Sequence, residues 1–459
     1  MIFSSLVFLC IFLPLVLILH MAVPNRKFRN GLLLVASLLF YTYGEPIYVL
    51  LMVTSAVLNY GFARLMGNRK WVLALAVAVN IGLLGVFKYA GFLVSAVNGL
   101  AGLSLPVPRI ELPIGISFFT FQALSYVIDV YRQQVPVQRN FGKLLLYISL
   151  FPQLIAGPIV RYADIAQQID RRTVSWESMA LGLRRFILGL GKKVLIANTM
   201  AAVADRVFGA GDWNVLSAWI GAVAYLFQIY YDFSGYSDMA IGLGRMFGFQ
   251  FKENFDHPYI SRSIQEFWRR WHISLSTWFR DYVYIPLGGN RKGRLRTVTN
   301  KLTVFFLTGL WHGANWTFVV WGLFHGCFLL LEEYVPKLRQ LPKVLGNIYT
   351  LLTVTLGFVI FRADSLGQAW RYIGTMFAGF DFSAGAMSLA LQQLTPFFLC
   401  VLLAAVLCAR PIGCWAGKLQ AERPKLAEGL SFVLAFFLLG WCMLRLAGGS
   451  YNPFIYFRF

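Results

Sequence analysis

The chain has 459 residues, of which 58% are hydrophobic and 13% charged, and its mean hydropathy is +0.63. Soluble domains are nearer half apolar and a quarter charged, so this composition excludes an ordinary soluble protein and indicates a polytopic membrane protein. The net charge of +21 is spread among hydrophobic segments. This spread argues against nucleic-acid binding and favours contact of the basic residues with anionic membrane lipid. The alternative is that some of the basic residues bind an anionic acyl donor.

Hydrophobic runs of roughly the length of a membrane helix recur along the whole chain. About twenty apolar residues cross a bilayer as a helix. The runs cover residues 2–21, 30–44, 46–65, 71–87, 112–130, 144–160, 186–200, 216–231, 302–320, 321–334, 345–360, 389–407 and 430–446. Several are short, which is typical of re-entrant pieces or of neighbouring spans that share a turn. The sequence therefore predicts an all-α polytopic fold with about eleven to thirteen membrane-embedded helices.

Two features break the pattern of spanning helices. Pro152, Gly157 and Pro158 interrupt the helix pattern around residues 153–159 and predict a re-entrant element, which is tolerated at membrane depth only beside protein or a cavity. A polar cluster at residues 232–238 follows directly after an apolar run. Asp and Ser are ordinary cap residues, so a turn with a helix cap is favoured and a polar wall of an acyl tunnel is the alternative.

Residues 258–285 are aromatic and basic, unlike the spanning runs. Their apolar side chains have the three-four spacing of one helix face, with polar side chains on the other. The apolar positions are Trp268, Trp271, Leu275, Trp278 and Tyr282, and the polar ones are Arg269, Arg270, Ser276 and Arg280. This pattern predicts an amphipathic helix that lies in the membrane interface rather than crossing it.

A turn-rich basic loop follows the amphipathic segment. Gly288 and Gly289 precede Arg291, Lys292 and Arg294. The positive-inside rule predicts that this loop faces the cytoplasm, where its charges are candidates for binding an anionic donor. Anchoring of the loop to anionic lipid is the alternative.

Three of the five histidines, His272, His312 and His325, fall in one aromatic, glycine-rich region. An ionisable group at membrane depth is costly and therefore marks function by default. Histidine also takes and gives a proton near neutral pH. His325, which Trp321 and Phe328 flank at one helical turn, is the first candidate for a general base. For His272, a structural histidine packed among tryptophans is an equal alternative.

Motifs for nucleotide, metal or disulfide chemistry do not occur in the sequence. There is no Walker A loop and no His-Glu-x-x-His, and the six cysteines contain no Cys-x-x-Cys pair. The sequence therefore predicts neither a metal site nor a bound cofactor.

Long motifs across the chain resemble the membrane-bound O-acyltransferase family, and within it the bacterial branch that acetylates alginate and other polysaccharides. They are 1–5 (MIFSS), 112–118 (LPIGISF), 128–132 (IDVYR), 154–158 (LIAGP), 231–244 (YDFSGYSDMAIGLG), 267–282 (FWRRWHISLSTWFRDY), 288–291 (GGNR), 309–315 (GLWHGAN), 325–326 (HG) and 452–459 (NPFIYFRF). The proteins of teichoic-acid D-alanylation are cousins with a similar two-histidine core.

The resemblance implies roles for particular residues. The family's membrane histidine falls on His325 and its second conserved polar position on His272, which makes these two the expected catalytic residues. The expected supporting residues are His312 in an orienting role, Trp311, Asn315 and Arg269. The implied fold is a single domain with a ring of helices around a thin centre and a funnel on each side. Within it we expect N-terminal spans at 1–110, a catalytic core at 111–335 with the His motif at 311–326, and C-terminal spans at 336–459.

The resemblance also implies an activity and its partners. We expect an acetyl group to pass from acetyl-coenzyme A, or from an acyl carrier protein, to an extracytoplasmic acceptor. That acceptor is expected to be a serine-hydrolase-like (SGNH-type) acetyltransferase that modifies a cell-surface or exported polysaccharide. The expected location is the bacterial cytoplasmic membrane. D-alanyl transfer to teichoic acid and a non-catalytic transport or export role, with the histidines as a proton relay, are the alternatives.

Overall fold

The computed structural model describes residues 1–155, 157–410, 421–449 and 455, and every regular element in these ranges is a helix. The α-helices are α1 Leu13–Ala22, α2 Arg26–Thr42, α3 Tyr48–Leu65, α4 Lys70–Leu84, α5 Ala90–Ala101, α6 Ile116–Tyr131, α7 Phe141–Ser149, α8 Tyr162–Asp170, α9 Trp176–Gly191, α10 Asn198–Ala210, α11 Val215–Met246, α12 Ile264–Arg270, α13 Ile273–Phe279, α14 Arg294–His312, α15 Trp316–Tyr334, α16 Lys343–Arg362, α17 Leu366–Ala378, α18 Ala384–Gln393, α19 Pro396–Cys408 and α20 Pro424–Ala447. π-helical turns cover Phe8–Phe12, Gly85–Tyr89, Lys192–Ala197 and Arg280–Tyr284, and 3-10 turns cover Pro258–Ile260 and Pro336–Gln340. The predicted all-α fold is confirmed.

Several helices are long and apolar enough to cross a membrane. By length and composition there are five such segments among the described residues, or six if the bent pair α18–α19 counts as one span. The five are Tyr48–Leu65, Lys70–Ala101, Trp176–Ala210, Lys343–Arg362 and Pro424–Ala447. The chain is therefore a multi-pass membrane protein. The larger number of embedded helices, which includes shorter elements, stays a prediction.

The chain divides into two compact units. The first contains Met1–Phe186 and Ser237–Lys252, and the second contains Ile187–Tyr236 and Glu253–Phe459. Phenylalanine rings form the centre of the first unit, where Phe8 packs against Phe3 at 5.0 Å, Phe40 at 5.9 Å and Phe151 at 6.3 Å between ring centroids. Aromatic rings bury a large apolar area each, so such a cluster is a stable core for short helices.

A buried amide pair joins α3 to α4 in the first unit. The amide nitrogens of Asn59 and Asn80 each donate to the other side chain's oxygen, at 3.0 and 2.8 Å. Hydrogen bonds between polar side chains on apolar helices hold such helices together in a membrane.

The predicted interruption near residue 155 is present. Helix α7 ends at Ser149, and turns occupy residues 151–155 with buried side chains. The turn reaches α6 at Gly115, where φ is +79° and a Cβ atom would lie 2.8 Å from the carbonyl oxygen of Leu154. Only glycine fits that position without strain. A re-entrant path for this segment stays a prediction.

The expectation of a turn and cap at residues 232–238 is wrong, because α11 continues through the cluster as part of a 32-residue helix. In the second unit, the buried Asp232 forms a 2.8 Å ion pair with Lys193 and accepts a hydrogen bond from the backbone N–H of Ile455. In the first unit, Asp238 pairs with Arg185 at 2.9 Å. Ion pairs satisfy these carboxylates inside the helix, so no cap is needed to place them.

Candidate active site

The amphipathic segment at 258–285 is broken at His272. The predicted single helix is wrong: α12 ends at Arg270, and α13 begins at Ile273 after a left-handed residue, His272, with φ +44°. The predicted apolar face is nevertheless correct, since its members are all buried. They are Trp268, Trp271, Leu275, Trp278 and Tyr282.

A network centred on Asn254 holds the turn at His272. The Oδ1 atom of Asn254 accepts from the backbone N–H and the hydroxyl of Ser274, at 3.2 and 2.8 Å. The backbone oxygen of Asn254 accepts from Ile273 N–H at 2.9 Å. A left-handed non-glycine residue costs about 1–2 kcal/mol, so these contacts offset the strain at His272.

The same network fixes the tautomer of His272. Its Nδ1 lies 3.2 Å from Asn254 Oδ1, and because an amide oxygen can only accept a hydrogen bond, we assign the ring proton to Nδ1, which donates to it. The Nε2 atom is buried and has no hydrogen-bond partner among the residues that the structure describes. Burial lowers the pKa of His272 to about 3, which keeps the ring neutral. Nε2 is therefore a bare proton acceptor in a low-dielectric setting.

His325 lies in α15 and is completely buried, yet within the described part of the chain neither of its ring nitrogens has a hydrogen-bond partner. The rings of Trp268, Trp321 and Phe324 surround it, with centroids 5.1, 5.3 and 5.4 Å away. Trp321 was expected there from the sequence, whereas Phe328 packs on Phe324. Buried polar groups without partners are rare and are typical of strained or catalytic positions.

Two further orphaned groups lie beside His325. The indole Nε1 atoms of Trp268 and Trp321 are buried, and neither has a hydrogen-bond partner in the ranges that the structure describes. An indole N–H can only donate. The rings around His325 therefore combine two bare imidazole nitrogens with two N–H donors.

Helix α16 closes the remaining side of the His325 ring at Gly357. A Cβ atom on this glycine would lie 2.6 Å from His325 Nε2, well inside van der Waals contact. The absence of a side chain at Gly357 thus makes room for the imidazole.

A continuous series of rings connects the three predicted histidines. His272 contacts Trp311 at 5.9 Å, Trp311 contacts His312 at 4.9 Å, and His312 contacts Trp321 at 5.0 Å. Trp321 then contacts His325. The two expected catalytic rings belong to one aromatic cluster, but no hydrogen bond joins them, since neither His325 nitrogen has a partner.

The α14–α15 hairpin positions four residues of this cluster, namely Trp311, His312, Trp321 and His325. A Cβ atom on Gly309 would lie 2.3 Å from the carbonyl oxygen of Phe318, and one on Gly322 would lie 2.2 Å from that of Phe305. Small residues allow this close approach of the two backbones. Asn315 caps α15 by accepting from Thr317 N–H at 3.2 Å, so its visible role is to shape the hairpin.

A cavity of about 440 Å³ adjoins the cluster, and Trp268 both lines it and contacts His325. The charged residues of the cavity lining are Arg269, Arg280, Lys301, Glu332, Glu333 and Arg339. Lys301 pairs with Glu333 and Arg280 with Asp281. Arg269, a predicted supporting residue, has no counter-ion in the described part of the chain. The cavity is therefore a basic pocket that reaches the wall of the His325 site.

The predicted donor-binding residues Arg291, Lys292 and Arg294 are exposed around the start of α14 and are not part of the cavity lining. Tyr284 does line the cavity. Gly289, in the loop, packs against the ring of Tyr284, because a Cβ atom on Gly289 would lie 3.6 Å from Tyr284 Cε1. The loop thus begins beside the pocket.

Glu332 is a residue of the site that sequence reasoning missed. It lies in α15 two turns after His325, and its buried carboxylate accepts from the backbone N–H groups of Ile264 and Gln265 at 2.5 and 3.0 Å. It therefore holds the start of α12, the helix that carries Trp268. An acid inside an apolar helix is a signal the sequence contains, whereas Asn254 and Gly357 have no such signal.

Comparison with known proteins identifies the class. The model of the membrane-bound O-acyltransferase family matches residues 117–365, which include all three histidines of the cluster. The chain belongs to this family, and it is a membrane O-acyltransferase.

Several named relatives are similar to the chain. One named probable alginate O-acetylase, from Azotobacter vinelandii, is 42% identical over the full length of both proteins. A peptidoglycan O-acetyltransferase from Helicobacter pylori is 37% identical over 82% of this chain and 80% of its own. A teichoic acid D-alanyltransferase from Streptococcus thermophilus is 30% identical over 56% of this chain and 69% of its own.

Proposed function

We propose that this enzyme transfers an acetyl group from a cytoplasmic thioester to an extracytoplasmic hydroxyl acceptor, in the O-acetylation of a cell-surface or exported polysaccharide. The names of the full-length relatives support acetyl transfer to a polysaccharide. One observation carries the proposal: two buried histidines with bare nitrogens belong to one aromatic cluster beside a basic cavity.

The chemistry requires a base and a set of donors. His325 accepts the proton of the acceptor hydroxyl as its oxygen attacks the thioester carbonyl carbon. The new C–O bond forms a tetrahedral intermediate, whose negative oxygen the indole N–H groups of Trp268 and Trp321 stabilise. The intermediate collapses, the C–S bond breaks, and the proton passes from the imidazole to the leaving sulfur. No cofactor takes part.

His272 has a separate place in this mechanism. Its tautomer is fixed by Asn254, so its Nε2 atom can accept a hydrogen bond from the substrate hydroxyl without rearrangement. We assign it the role of aligning the acceptor and sharing the proton with His325. The rings of Trp311 and His312 lie between the two histidines and pack against their surroundings.

The donor enters through the basic cavity. Coenzyme A and the phosphopantetheine arm of a carrier protein both carry phosphate, and Arg269 is a free cation in the lining. The volume of about 440 Å³ is within the range of small-molecule sites, about 300–1,000 Å³. The exposed Arg291, Lys292 and Arg294 then attract the donor before it binds.

The acceptor and the location complete the proposal. The acetyl group is received outside the bacterial cytoplasmic membrane by a serine-hydrolase-like acetyltransferase, which passes it to the polysaccharide. Support comes from the relatives named for acetylation of alginate and of peptidoglycan.

The test uses inverted membrane vesicles, whose cytoplasmic face is outward, supplied with acetyl-labelled coenzyme A. Label should reach polymer or acceptor protein inside the vesicles. His325→Ala should remove this transfer, and retention of more than about a tenth, roughly 1.4 kcal/mol in the barrier, would place the base elsewhere. His257→Ala is the matched control, because that histidine is partly exposed and its side chain pairs with Asp256, away from the ring cluster of the candidate site.

A double variant distinguishes the role of His272. Groups that act as a unit lose activity non-additively, so His272→Ala, His325→Ala and the double change should all reduce transfer to a similar level. Losses that simply multiply would make His272 a structural residue. Transfer from a D-alanyl carrier but not from acetyl-coenzyme A would instead assign the chain to the teichoic-acid activity.

A further inference from the structure

A second cavity of the second unit combines free positive charge with an apolar wall. We propose that this cavity, of about 620 Å³, binds one anionic phospholipid. The headgroup lies against Arg262, Lys343 and Arg410, and an acyl chain lies along the aliphatic side chains that line the rest of the space. This site is separate from the acyl-transfer pocket.

The charge of the lining fits an anion. Arg262, Lys343 and Arg410 all line the cavity, and no acidic residue is among its described lining residues. None of the three side chains has an ion pair or hydrogen bond in the described part of the chain. Like charges gathered without counter-ions repel each other, so an anionic headgroup stabilises the group. The pocket beside Trp268 differs, because acids balance much of its charge.

The placement of Lys343 strengthens the case for an anion. It is the first residue of α16, and the preceding Pro342 makes no side-chain cap. A helix N-terminus carries partial positive charge, and a lysine there adds to it unfavourably. A phosphate at this end of the cavity would offset both charges.

The cavity extends from the ends of helices into their apolar parts. Lys343 begins α16 and Arg410 follows the end of α19, and both helices belong to candidate spans. Leu351 lines the cavity eight residues into α16, which is about 12 Å deeper at 1.5 Å per residue. A phospholipid has its charge in the headgroup and its aliphatic chains below, so the cationic end and the aliphatic wall of the cavity match the two parts of such a molecule.

Exposure of the aliphatic residues distinguishes a lipid from a soluble anion. Val344, Ile348 and Val406 line the cavity and are all more than 40% exposed. A free phosphate compound would contact the three cations but would leave these side chains uncovered. A phospholipid covers both, so the apolar wall selects the lipid.

The test counts lipids retained by the detergent-purified full chain in native mass spectrometry. With phosphatidylglycerol and phosphatidylcholine supplied equally, one phosphatidylglycerol should be retained with a preference of about tenfold. The triple variant Arg262→Gln, Lys343→Gln, Arg410→Gln should lose that preference. The control variant Lys27→Gln, Arg69→Gln, Lys70→Gln removes three exposed cations at other helix ends and should keep it.

A second variant tests the apolar half of the site. Val406→Trp fills the cavity from an exposed position, which leaves the charges and the protein core intact. It should lower the retained phosphatidylglycerol several-fold. Unchanged retention in both variants would overturn the proposal. Displacement of the lipid by inorganic phosphate or free coenzyme A would also overturn it and identify a site for a soluble anion.

Discussion

At the scale of single residues, the two buried histidines are held in different ways. Asn254 fixes the ring of His272 through a hydrogen bond, whereas among the described residues His325 has ring packing and the space at Gly357 but no hydrogen bond. A histidine oriented by a hydrogen bond presents one defined nitrogen. The orientation of a histidine that is held by packing depends on the shape of the surrounding side chains.

A carboxylate in place of Asn254 should change the pH dependence of the reaction. In Asn254→Asp the negative charge next to Nδ1 favours the imidazolium, so the pKa of His272 rises. A protonated ring cannot accept a proton, so activity should be lost as pH falls through the raised pKa. The acidic limb of the kcat/KM profile should therefore move upward by about one unit or more.

The matched control is Asn300→Asp, a buried amide that donates to the backbone oxygens of Leu287 and Gly289. It should lower stability without moving the acidic limb. An unmoved limb in Asn254→Asp would show that the protonation state of His272 does not limit the reaction.

Adding one methyl group at Gly357 should displace the His325 ring. A Cβ atom 2.6 Å from Nε2 forces the imidazole away, and a shift of about 1 Å at a reacting group can cost about 100-fold in rate. We expect Gly357→Ala to lower kcat by about that factor with a small change in the donor KM. Steady-state kinetics on the purified enzyme measure both values.

Gly346→Ala separates misplacement of His325 from general overpacking. Gly346 lies on the same helix, and its added Cβ would lie 2.8 Å from the carbonyl oxygen of Arg262. Both variants should lose about 1–3 kcal/mol of stability, but only Gly357→Ala should lose kcat. Equal kcat in the two variants would contradict a role for this space in catalysis.

At the scale of helices, the short helix α12 depends on its neighbour α15. Its first backbone N–H groups donate to Glu332, and its only tryptophan contacts His325 on the same neighbour. The helix has only seven residues, and isolated helices of that length are unstable. The candidate site therefore depends on α15 both for His325, the proposed base, and for the attachment of the helix that covers it.

Removing the charge of Glu332 should loosen this attachment. In Glu332→Gln one carboxylate oxygen becomes an N–H₂ group that faces a backbone donor, which leaves a buried N–H unsatisfied at a cost of about 1–3 kcal/mol. Thermal denaturation in detergent should show the loss. Glu333→Gln breaks only the partly exposed pair with Lys301 and should cost about 0–1 kcal/mol. A smaller loss for Glu332→Gln than for Glu333→Gln would contradict the role of Glu332.

At the scale of the whole molecule, the residues of the site belong to one of the two units. His272, His312 and His325 and their ring contacts all lie in the second unit, as do the two cavities described above. The exposed basic loop of this unit adds charge near the cavity beside Trp268, the proposed donor pocket, without forming its wall. Charge at such a distance changes the rate of encounter more than the bound complex.

Reversing the charge of the loop should weaken donor capture. Changing Arg291, Lys292, Arg294 and Arg296 to Glu should raise the donor KM, more strongly at low salt where charge is least screened, and leave kcat nearly unchanged. Reversal of four other exposed cations, Arg26, Lys27, Arg69 and Lys70, is the control for net charge. An unchanged KM would leave the loop as a lipid anchor.

Labelling tests the side of the membrane on which the loop lies. Leu295→Cys is suitable because Leu295 is 82% exposed. An impermeant thiol reagent should label it in inverted vesicles and not in intact cells. Labelling from outside intact cells would contradict the predicted cytoplasmic orientation.

The sequence by itself determined the class and the helical fold, and it nominated the histidines of the candidate site. Composition alone required membrane helices, and the three-four spacing at 258–285 correctly predicted which side chains are buried. Both signals are local, because they depend on the hydrophobicity and spacing of nearby residues. The long motifs likewise indicate the family without any knowledge of tertiary contacts.

Only the tertiary structure decided how these parts meet. The break at His272 depends on Asn254, eighteen positions earlier, and the continuity of α11 depends on cations brought to Asp232 and Asp238 by other helices. The space at Gly357 exists because α16 packs on α15. Contacts between residues distant in sequence leave no local pattern. The sequence could therefore nominate His325 but could not predict which side chains surround its ring.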